Sequence, residues 1–341
     1  MAQVFRRDIV VIGASSGGLE PLMEIVAGLP ADIEASLFVV VHVPAQATSQ
    51  LPHILSRAGR LPAIHAQDGE AILPRHIYVA PPDYHLLLGH RSLRIVRGPK
   101  ENNHRPAIDP LFRSAARAHA TRTIGIVLSG MLDDGTAGLL AIKERGGIAI
   151  VQDPKDALFP AMPRNALAAT RVDYCAPKDQ IAGIIVELTR KSDIEMGDTP
   201  MISDDEMNKE IEIEAMNTAT IADDGKPGSP SVYGCPDCGG TLWELQDDQW
   251  LRFRCRVGHA YSAEGLLESQ GEGLESALWS AFRSLQESAA LARRIAERAR
   301  GNKRDLAAEK FELKSRRAEV QARLIRELLV SGQGETGAET D

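Results

Sequence analysis

The first 190 residues alternate short runs of branched aliphatic residues with stretches of helical periodicity. Strands are predicted for six apolar runs: Ile9–Ile12, Leu37–Val43, Ile77–Val79, Leu93–Val96, Ile124–Leu128 and Ile148–Val151. Helical patterns lie between several of them: Leu19–Ala27, Pro110–Ala118, Thr136–Arg145 and Pro163–Ala169. Such strands are typical of sheets buried on both faces. We therefore predict an α/β domain over residues 1–190, a doubly wound, mostly parallel sheet with helices on both faces. Leu93–Val96 is a candidate for an antiparallel edge hairpin with Ile77–Val79.

A strongly acidic segment follows this predicted domain. Residues 193–226 contain eleven acidic and two basic residues, a net charge of −9, whereas the whole chain carries −8. The segment has no aromatic residue, so it offers little apolar surface to offset the entropy cost of ordering. We predict a flexible acidic linker over residues 191–231, which serves as a solvated tether or as a docking segment.

Charge and composition also narrow the class of function. A net charge of −8 and an aromatic content of 4% do not favour a protein that binds nucleic acid. The sequence has no run of about 18 apolar residues, and its N-terminal apolar run is too short for a signal peptide. We expect a cytoplasmic protein without membrane insertion.

Three of the four cysteines cluster with a histidine beyond the acidic segment. Cys235 and Cys238 form one pair, and after sixteen intervening residues Cys255 and His259 form another. Two close pairs of sulfur and nitrogen ligands are the pattern of a structural, closed tetrahedral zinc site. We therefore predict a structural zinc ion, with free buried thiols as the alternative.

The predicted zinc-ribbon-like module spans residues 232–262. Trp243 and Trp250 are candidates for its small core. A basic cluster in the same module consists of Arg252, Arg254 and Arg256. A solvated face or contact with the acidic segment is favoured for this cluster over nucleic-acid binding.

Two helical stretches follow the module. Apolar residues recur at spacings of three and four: Leu274, Leu278, Phe282, Leu285, Ala289, Ala292 and Ile295, and then Leu306, Leu313, Val320, Leu324 and Leu328. Gly301-Asn302 marks the break between them. We predict a helical hairpin or coiled coil over residues 263–331, either structural or an oligomerisation arm, and a disordered tail over residues 332–341.

A serine follows the first predicted strand in a glycine-rich turn. Gly13–Gly17 matches G-x-S-x-G, the pattern that exposes a serine hydroxyl, here Ser15, on a strand-to-helix turn. His42 ends the second strand, and Asp133 and Asp134 follow Ile124–Leu128. The carboxyl ends of parallel strands meet at one edge of a sheet, so these side chains can form a Ser-His-Asp triad. Each one alone also fits a structural role, as a tight turn, a buried histidine or a helix N-cap. The order Ser, His, Asp differs from that of α/β-hydrolases.

Seven short motifs, called strings below, occur in this order across residues 8–190: Ile12–Gly18, Val41–Pro44, Asp68–Glu70, Tyr78–Asp83, Asn103–Pro106, Leu128–Gly135 and Met162–Arg164. Together they resemble the catalytic domain of bacterial chemotaxis receptor methylesterases, the CheB-type protein-glutamate methylesterases. The resemblance implies that the family's catalytic serine, histidine and aspartate correspond to Ser15, His42 and Asp134. It also implies that Met131 lies beside the oxyanion site.

The resemblance implies an activity and partners. A glutamate methyl ester on the cytoplasmic domain of a methyl-accepting chemoreceptor would be hydrolysed to release methanol, without a catalytic cofactor, and glutamine deamidation would be a side activity. Backbone N–H groups near Ser16 and Met131 would hold the oxyanion. The receptor methyltransferase is a further implied partner. Extended members of the family carry a similar C-terminal module, whose role does not follow from its motif.

Several positions depart from the family's pattern. Ser16 stands where threonine is typical, Leu132 replaces a glycine, and Asp133 adds a second carboxylate that either raises local pKa values or faces solvent. Residues 45–49 lack the usual aromatic side chain. Archetypal members carry a receiver domain before the esterase, whereas this sequence starts close to the catalytic strand, so we expect another form of control. A serine hydrolase for small esters and a non-catalytic docking scaffold remain alternatives.

Overall fold

A seven-stranded parallel sheet forms the centre of the N-terminal region in the computed structural model, which describes residues 6–191, 205–217, 228–245 and 250–331. The strands of this region are β1 (Ile9–Ala14), β2 (Ser36–Val41), β3 (Ala63–His65), β4 (Ile77–Val79), β5 (His85–Leu88), β6 (Leu93–Val96), β7 (Thr123–Val127), β8 (Ile148–Gln152) and β9 (Tyr174–Ala176). Seven of them pair in the order β3-β4-β2-β1-β7-β8-β9, and all of these pairs are parallel.

Helices cover both faces of this sheet. They are α1 (Leu19–Gly28), α2 (Leu51–Ala58), α3 (Ile108–His119), α4 (Thr136–Glu144), α5 (Ala161–Ala169) and α6 (Lys178–Arg190), with a short 3-10 turn at Ala120–Arg122. Val10 and Ile12 of β1 belong to the core beneath α1, α2 and α6, whereas Ile9 and Val11 belong to the core beneath α3, α4 and α5. Alternation along a strand that is buried on both sides therefore produces the predicted flanked α/β sheet.

The predicted edge hairpin between Ile77–Val79 and Leu93–Val96 is wrong. β4 lies inside the parallel sheet between β3 and β2, and all three of its residues are buried. β6 instead pairs with β5 in a separate antiparallel ribbon. The short turn between β5 and β6 favours this local pairing, because neighbouring antiparallel strands need only a tight connection.

Part of the acidic segment forms a docked helix, α7 (Asp205–Glu214). Met207 and Ile211 are buried in the core beneath α3. Six charged residues of α3, α7, β12 and the loop before α3 form a largely buried arginine–glutamate cluster: Glu101, Arg113, Glu210, Glu214, Arg252 and Arg254. The prediction of a flexible linker is therefore wrong over residues 205–217, because buried arginines offset the acidic charge. Residues 192–204 and 218–227 lie outside the described residues.

A four-stranded antiparallel sheet follows. Its strands pair in chain order: β10 (Ser229–Gly234), β11 (Thr241–Glu244), β12 (Arg252–Cys255) and β13 (Ala260–Ser262). Its small core contains Leu242, Phe253 and Tyr261. Trp243 and Trp250 are only half-buried, so their predicted place in the core is wrong. Side chains alternate along β11, and this places Leu242 inward and Trp243 on the other face.

The C-terminal unit begins at Leu267, and its described residues belong to two long helices, α8 (Ala263–Gly301), which starts just before the unit, and α9 (Asp305–Ser331). The predicted helices and their break are therefore present, and the predicted tail lies outside the described part of the chain. Small buried residues mark the seam between the helices: Ala289, Ala292, Ala296, Ala308, Ser315, Ala318 and Ala322. The Ser315 hydroxyl donates to the Ala289 carbonyl at 2.9 Å, which requires a close approach of the two helices.

Most large residues of the predicted stripes lie outside this seam. Leu306 is 86% exposed, and the stripe residues Leu274, Leu313, Val320, Leu324 and Leu328 are exposed as well. The periodicity indicates helices, but small residues take the buried positions because they let the two backbones approach. None of the described helices has the length and apolar character needed to cross a bilayer.

Candidate active site

Three adjacent strands end at the candidate site. Ser15 directly follows β1, His42 directly follows β2, and Asp134 lies in the loop after β7, in a sheet where the order is β2-β1-β7. The His42 N–H donates to the Ala14 carbonyl at 3.2 Å, and the Ser15 N–H donates to the Ser129 carbonyl at 3.0 Å. Backbone pairing thus continues past the strand ends and brings the three predicted residues together.

The three side chains form a continuous hydrogen-bonded chain. Ser15 Oγ lies 3.0 Å from His42 Nδ1, and His42 Nε2 lies 2.7 Å from Asp134 Oδ2. An ionised carboxylate can only accept, so His42 carries a proton on Nε2 and Nδ1 accepts from the serine hydroxyl. The His42 side chain is 6% exposed, which keeps this arrangement largely out of water.

The Asp134 carboxylate is buried among hydrogen-bond donors. The N–H groups of Ile108 and Asp109, at the start of α3, donate to it at 2.7 and 3.2 Å, and the Asn102 amide donates at 3.3 Å. Burial alone would raise the Asp134 pKa, but the hydrogen bond and charge of His42, together with the Ile108 N–H, outweigh burial and hold the pKa well below its usual range. Asp134 is therefore ionised and able to orient His42.

Asp109 behaves in the opposite way. Its carboxyl is buried, and burial together with the charges of Asp134 and Glu101 raises its pKa well above the usual range. Asp109 accepts from the Gly138 N–H at 2.6 Å and from the Asn102 amide at 3.3 Å. The pKa values of these two neighbouring carboxyl groups are thus shifted in opposite directions, since more hydrogen-bond donors contact Asp134 than Asp109.

A second histidine packs on the ring of His42. The rings of His42 and His104 are stacked, with centroids 3.5 Å apart and planes inclined by 16°. Burial, with a contribution from the charge of His42, lowers the pKa of His104 to about 3. His104 is therefore neutral near pH 7 and restrains the His42 ring without adding charge. His104 belongs to the string Asn103–Pro106, but the sequence alone indicates no role for it.

An open pocket of about 460 Å³ lies over the Ser15 hydroxyl. It is lined by Ser15, Ser16, His42, Val43, Pro44, Ala45, Asp83, Lys100, Asn103, His104 and Arg105. Arg105 donates to Asp83 at 2.6 Å, so these two charges are paired. A substrate can reach the serine from this side.

The two residues predicted at the oxyanion site differ in position. Ser16 lines the pocket, whereas the Met131 side chain is 54% exposed and does not line it. Within the part of the chain that the structure describes, neither the Ser16 nor the Met131 N–H donates to a protein acceptor. Both donors are therefore available to a ligand.

Two positions beside Met131, Leu132 and Asp133, depart from the family's pattern, and the structure shows the conformation of the first and the burial of the second. Leu132 has a φ of 58°, so it occupies a left-handed conformation that favours glycine. Asp133 is 1% exposed, which excludes the alternative that it faces solvent. Burial raises the Asp133 pKa to about 6, and the charges of Glu264 and Asp134 add to this, although a hydrogen bond from Ser262 opposes it.

The four predicted metal ligands also lie together. The sulfur atoms of Cys235, Cys238 and Cys255 and a ring nitrogen of His259 all lie within 4.8 Å of one another. Cys235 and Cys238 lie at the β10–β11 turn, and Cys255 and His259 lie at the β12–β13 turn. Three thiols and one imidazole at this spacing suit a tetrahedral zinc ion, as soft and borderline ligands do.

Sequence reasoning missed the residues that support the triad from behind. Asn102, which contacts Asp134, and Ser262, which contacts Asp133, are both buried. Asn102 lies one residue before the string Asn103–Pro106, and this proximity is the only feature of the sequence that indicates its role. Nothing in the sequence indicates Ser262.

Comparisons with known proteins identify the family of the N-terminal region. The family model described as CheB methylesterase matches residues 10–185. Protein-glutamate methylesterase/protein-glutamine glutaminase 1 of Geobacter metallireducens is 40% identical over 173 residues, which are 50% of this chain and 47% of that protein. A relative in Leptospira interrogans, whose name carries the same two activities, is 36% identical over 186 residues, 54% of this chain and 96% of that protein.

A solved structure is similar as well. The crystal structure of the Thermotoga maritima CheB methylesterase catalytic domain is 34% identical, with a TM-score of 0.52, and the match covers 54% of this chain and 100% of that chain. The resemblance seen in the seven strings is thereby confirmed. The chain belongs to the CheB methylesterase family of hydrolases.

Proposed function

We propose that this protein hydrolyses glutamate methyl esters on chemoreceptor-type proteins, with Ser15, His42 and Asp134 as the catalytic triad. The observation that carries the proposal is the hydrogen-bonded chain from Ser15 Oγ through His42 to Asp134 beneath an open pocket. Relatives that carry the names of this activity supply the substrate class.

The geometry supports a two-step acyl transfer. Ser15 Oγ attacks the ester carbonyl while its proton passes to His42 Nδ1. Asp134, ionised and fixed by three donors besides His42, stabilises the imidazolium that forms. The proton then moves to the leaving methoxide, methanol departs, and water releases glutamate from Ser15 by the reverse sequence.

The oxyanion would be held by the N–H groups of Ser16 and Met131. Loss of one such donor typically costs on the order of 3 kcal/mol of transition-state stabilisation. The same attack on a glutamine side chain would release ammonia, so deamidation is a second activity of the same site. The relatives' names include this glutaminase activity.

The test is methanol release from a methylated chemoreceptor cytoplasmic fragment. We expect release from the wild type and none from Ser15→Ala, because the Ser15 hydroxyl is the group that is hydrogen-bonded to His42 Nδ1. Ser15→Ala removes one hydrogen bond, so its unfolding midpoint should stay close to that of the wild type. Release by the variant at the wild-type rate would disprove the mechanism. Release from small methyl esters but not from the receptor fragment would favour a different serine hydrolase.

We also propose that Cys235, Cys238, Cys255 and His259 bind a structural zinc ion in a zinc-ribbon-like module. The donor set, its two turns and its closed geometry with four protein ligands support this assignment. Residues 232–262 would then form a zinc-ribbon-like module within the first compact unit, residues 1–266, followed by the helical hairpin. Metal analysis of the purified chain should give one zinc per chain, and Cys235→Ser should lower this content while Cys175→Ser, at an exposed and isolated cysteine, leaves it unchanged.

A further inference from the structure

The last strand of the four-stranded sheet lies against the back of the candidate triad. The Asn102 N–H donates to the Ala260 carbonyl at 2.9 Å, and the Ala260 N–H donates to the Lys100 carbonyl at 3.2 Å. Residues 100–102 therefore extend along β13 as a short parallel bridge. This places the strand that follows His259 in direct contact with the loop that supports Asp134.

Side chains continue this contact toward the triad. The Ser262 N–H donates to Asn102 Oδ1 at 2.9 Å, and the Asn102 amide nitrogen lies 3.3 Å from both Asp134 and Asp109. An N–H group can only donate, so Ser262 requires the carbonyl oxygen of Asn102 on its side and turns the NH2 toward the carboxylates. The Ser262 hydroxyl donates to Asp133 at 2.6 Å. β13 thus contacts both residues of the Asp133–Asp134 pair, one directly and one through Asn102.

The arginine–glutamate cluster keeps β12 and β13 in this position. Arg254 of β12 is 1% exposed and donates to Glu210 of α7 at 2.8 Å. Arg113 of α3 donates to Glu101 at 2.8 and 2.5 Å and pairs with Glu214. Breaking a buried pair leaves an uncompensated charge, so the docked arrangement is strongly specified.

The four-stranded sheet does not cover the pocket. Among the described residues that line it, none comes from residues 228–262. The sheet therefore contacts the residues around Asp134 without lining the pocket, and it reaches the pocket rim only where Asp237 pairs with Lys100 at 3.3 Å. This arrangement does not fit a plug that excludes substrate.

We propose that the four-stranded sheet is a positioning element for the triad acid, through which metal at the Cys235, Cys238, Cys255 and His259 site controls catalysis. Metal would fix the Cys255–His259 turn, the turn sets β13, and β13 orients the Asn102 amide that holds Asp134. Asn102 is a positioning residue, since it contacts Asp134 and is not among the residues that line the pocket. The inference rests on the proposed function and adds a requirement for the C-terminal sheet.

Asn102→Gly is the most direct variant. Asn102 has a φ of 48°, which glycine adopts freely, and glycine keeps the N–H that bonds Ala260. We expect kcat for methanol release to fall about 10- to 100-fold with little change in KM, because a small misplacement of a catalytic group has effects of this size. Glu212→Gln is the control, since Glu212 joins α7 to Arg117 on the surface without contact to the triad. Its kcat should equal that of the wild type.

The second test combines the variant with metal removal in the full chain. Stripping metal with a chelator should lower the wild-type kcat by a similar factor, and zinc should restore it. The same treatment should scarcely change Asn102→Gly, because both perturbations act on one path and their effects do not add. Three results would each overturn the proposal. The effects of metal removal and of Asn102→Gly on kcat could be independent and multiply, or metal removal could raise the activity. The third result is a wild-type kcat in both the stripped protein and the variant.

Proton NMR gives a readout that does not depend on turnover. The proton between His42 Nε2 and Asp134, 2.7 Å apart, should give a downfield resonance that Asp134→Asn removes. Asn102→Gly and metal removal should both shift or broaden it, and an unchanged resonance in both would contradict the positioning role.

A phosphonate probe that labels Ser15 separates a failure of the proposed substrate from a failure of the positioning role. If the receptor fragment is not demethylated but Ser15 is labelled, the substrate assignment fails, and the labelling rates of these variants then test the positioning role.

Discussion

In the parallel sheet all six residues of β1 are buried and none carries a charge, whereas the contact between α3, α7 and β12 is built from three arginines and three glutamates. Both regions are buried, but they specify structure differently. Aliphatic packing depends on volume and tolerates isosteric exchange. Buried ion pairs depend on each partner being present. The difference teaches that the sheet determines where the proposed catalytic residues lie, while the charged contact determines which later segment of the chain can dock beside them.

The largest change in the free energy of unfolding is expected from a comparison of two positions in α3. Arg113→Met should lower the free energy of unfolding by about 3–5 kcal/mol, because it leaves Glu101 and Glu214 buried without their main partner. Leu111→Met, in the fully buried aliphatic core two residues earlier, should cost less than about 1.5 kcal/mol. Urea unfolding of both variants measures the two values. Equal losses would remove the distinction between the regions.

A comparison of two glutamates of α7 should give a smaller change in the free energy of unfolding. Glu210→Gln should cost about 3 kcal/mol at pH 7, since Glu210 contacts the buried Arg252 and Arg254. Glu212→Gln should change stability by less than about 0.5 kcal/mol, because that side chain is on the surface.

The Glu210 effect should depend on pH. Burial alone would raise the Glu210 pKa, but Arg252, Arg113 and Arg254 outweigh burial and hold the pKa well below its usual range. The ionised form therefore stabilises the fold above the unfolded-state pKa of about 4.3, and this stabilisation is lost as the pH falls. The difference in stability between the wild type and Glu210→Gln should thus begin to shrink below about pH 4 and should disappear only as the pH falls through the low folded-state pKa. A difference that stays constant down to pH 3 would contradict the assigned charge.

The smallest effect has the opposite sign. Asp133→Asn should stabilise the protein at pH 7–8 by about 1–2 kcal/mol, below the ceiling of about 3 kcal/mol that a pKa raised from 3.8 to about 6 allows. Because the folded-state pKa is raised, the carboxylate costs stability as the pH rises from about 4 to 6, and the cost is complete above that range. The thermal midpoints of variant and wild type should differ at pH 8 and coincide near pH 4.

The sequence predicted the residues that lie at strand ends and missed those that support them. Ser15, His42 and Asp134 follow apolar strands, and the geometry of a parallel sheet brings such residues to one edge. The four predicted metal ligands have a spacing that predicts their proximity. Whether these residues perform the predicted roles remains a prediction for the experiments above.

The missed features depend on contacts between distant parts of the chain. α7 was predicted to be a flexible linker because its composition is acidic, and its stability comes from Arg113, almost 100 residues earlier, and from Arg252 and Arg254, some 40 residues later. Contact with the acidic segment was one of the two favoured interpretations of the basic cluster. Asn102 and Ser262 are 160 residues apart and have no local pattern that joins them. Local periodicity cannot report a partner at that distance.

The orientation of the His42 ring has a consequence for affinity labelling. Nδ1 faces Ser15 and Nε2 is occupied by Asp134, so an electrophile that enters from the pocket meets Nδ1. In the serine protease triad it is Nε2 that faces the serine. A halomethyl ketone built on a glutamyl ester would therefore alkylate the ring nitrogen nearer the backbone, and the regiochemistry of the adduct would distinguish this hydrolase from a trypsin-like enzyme that carries the same three residue types.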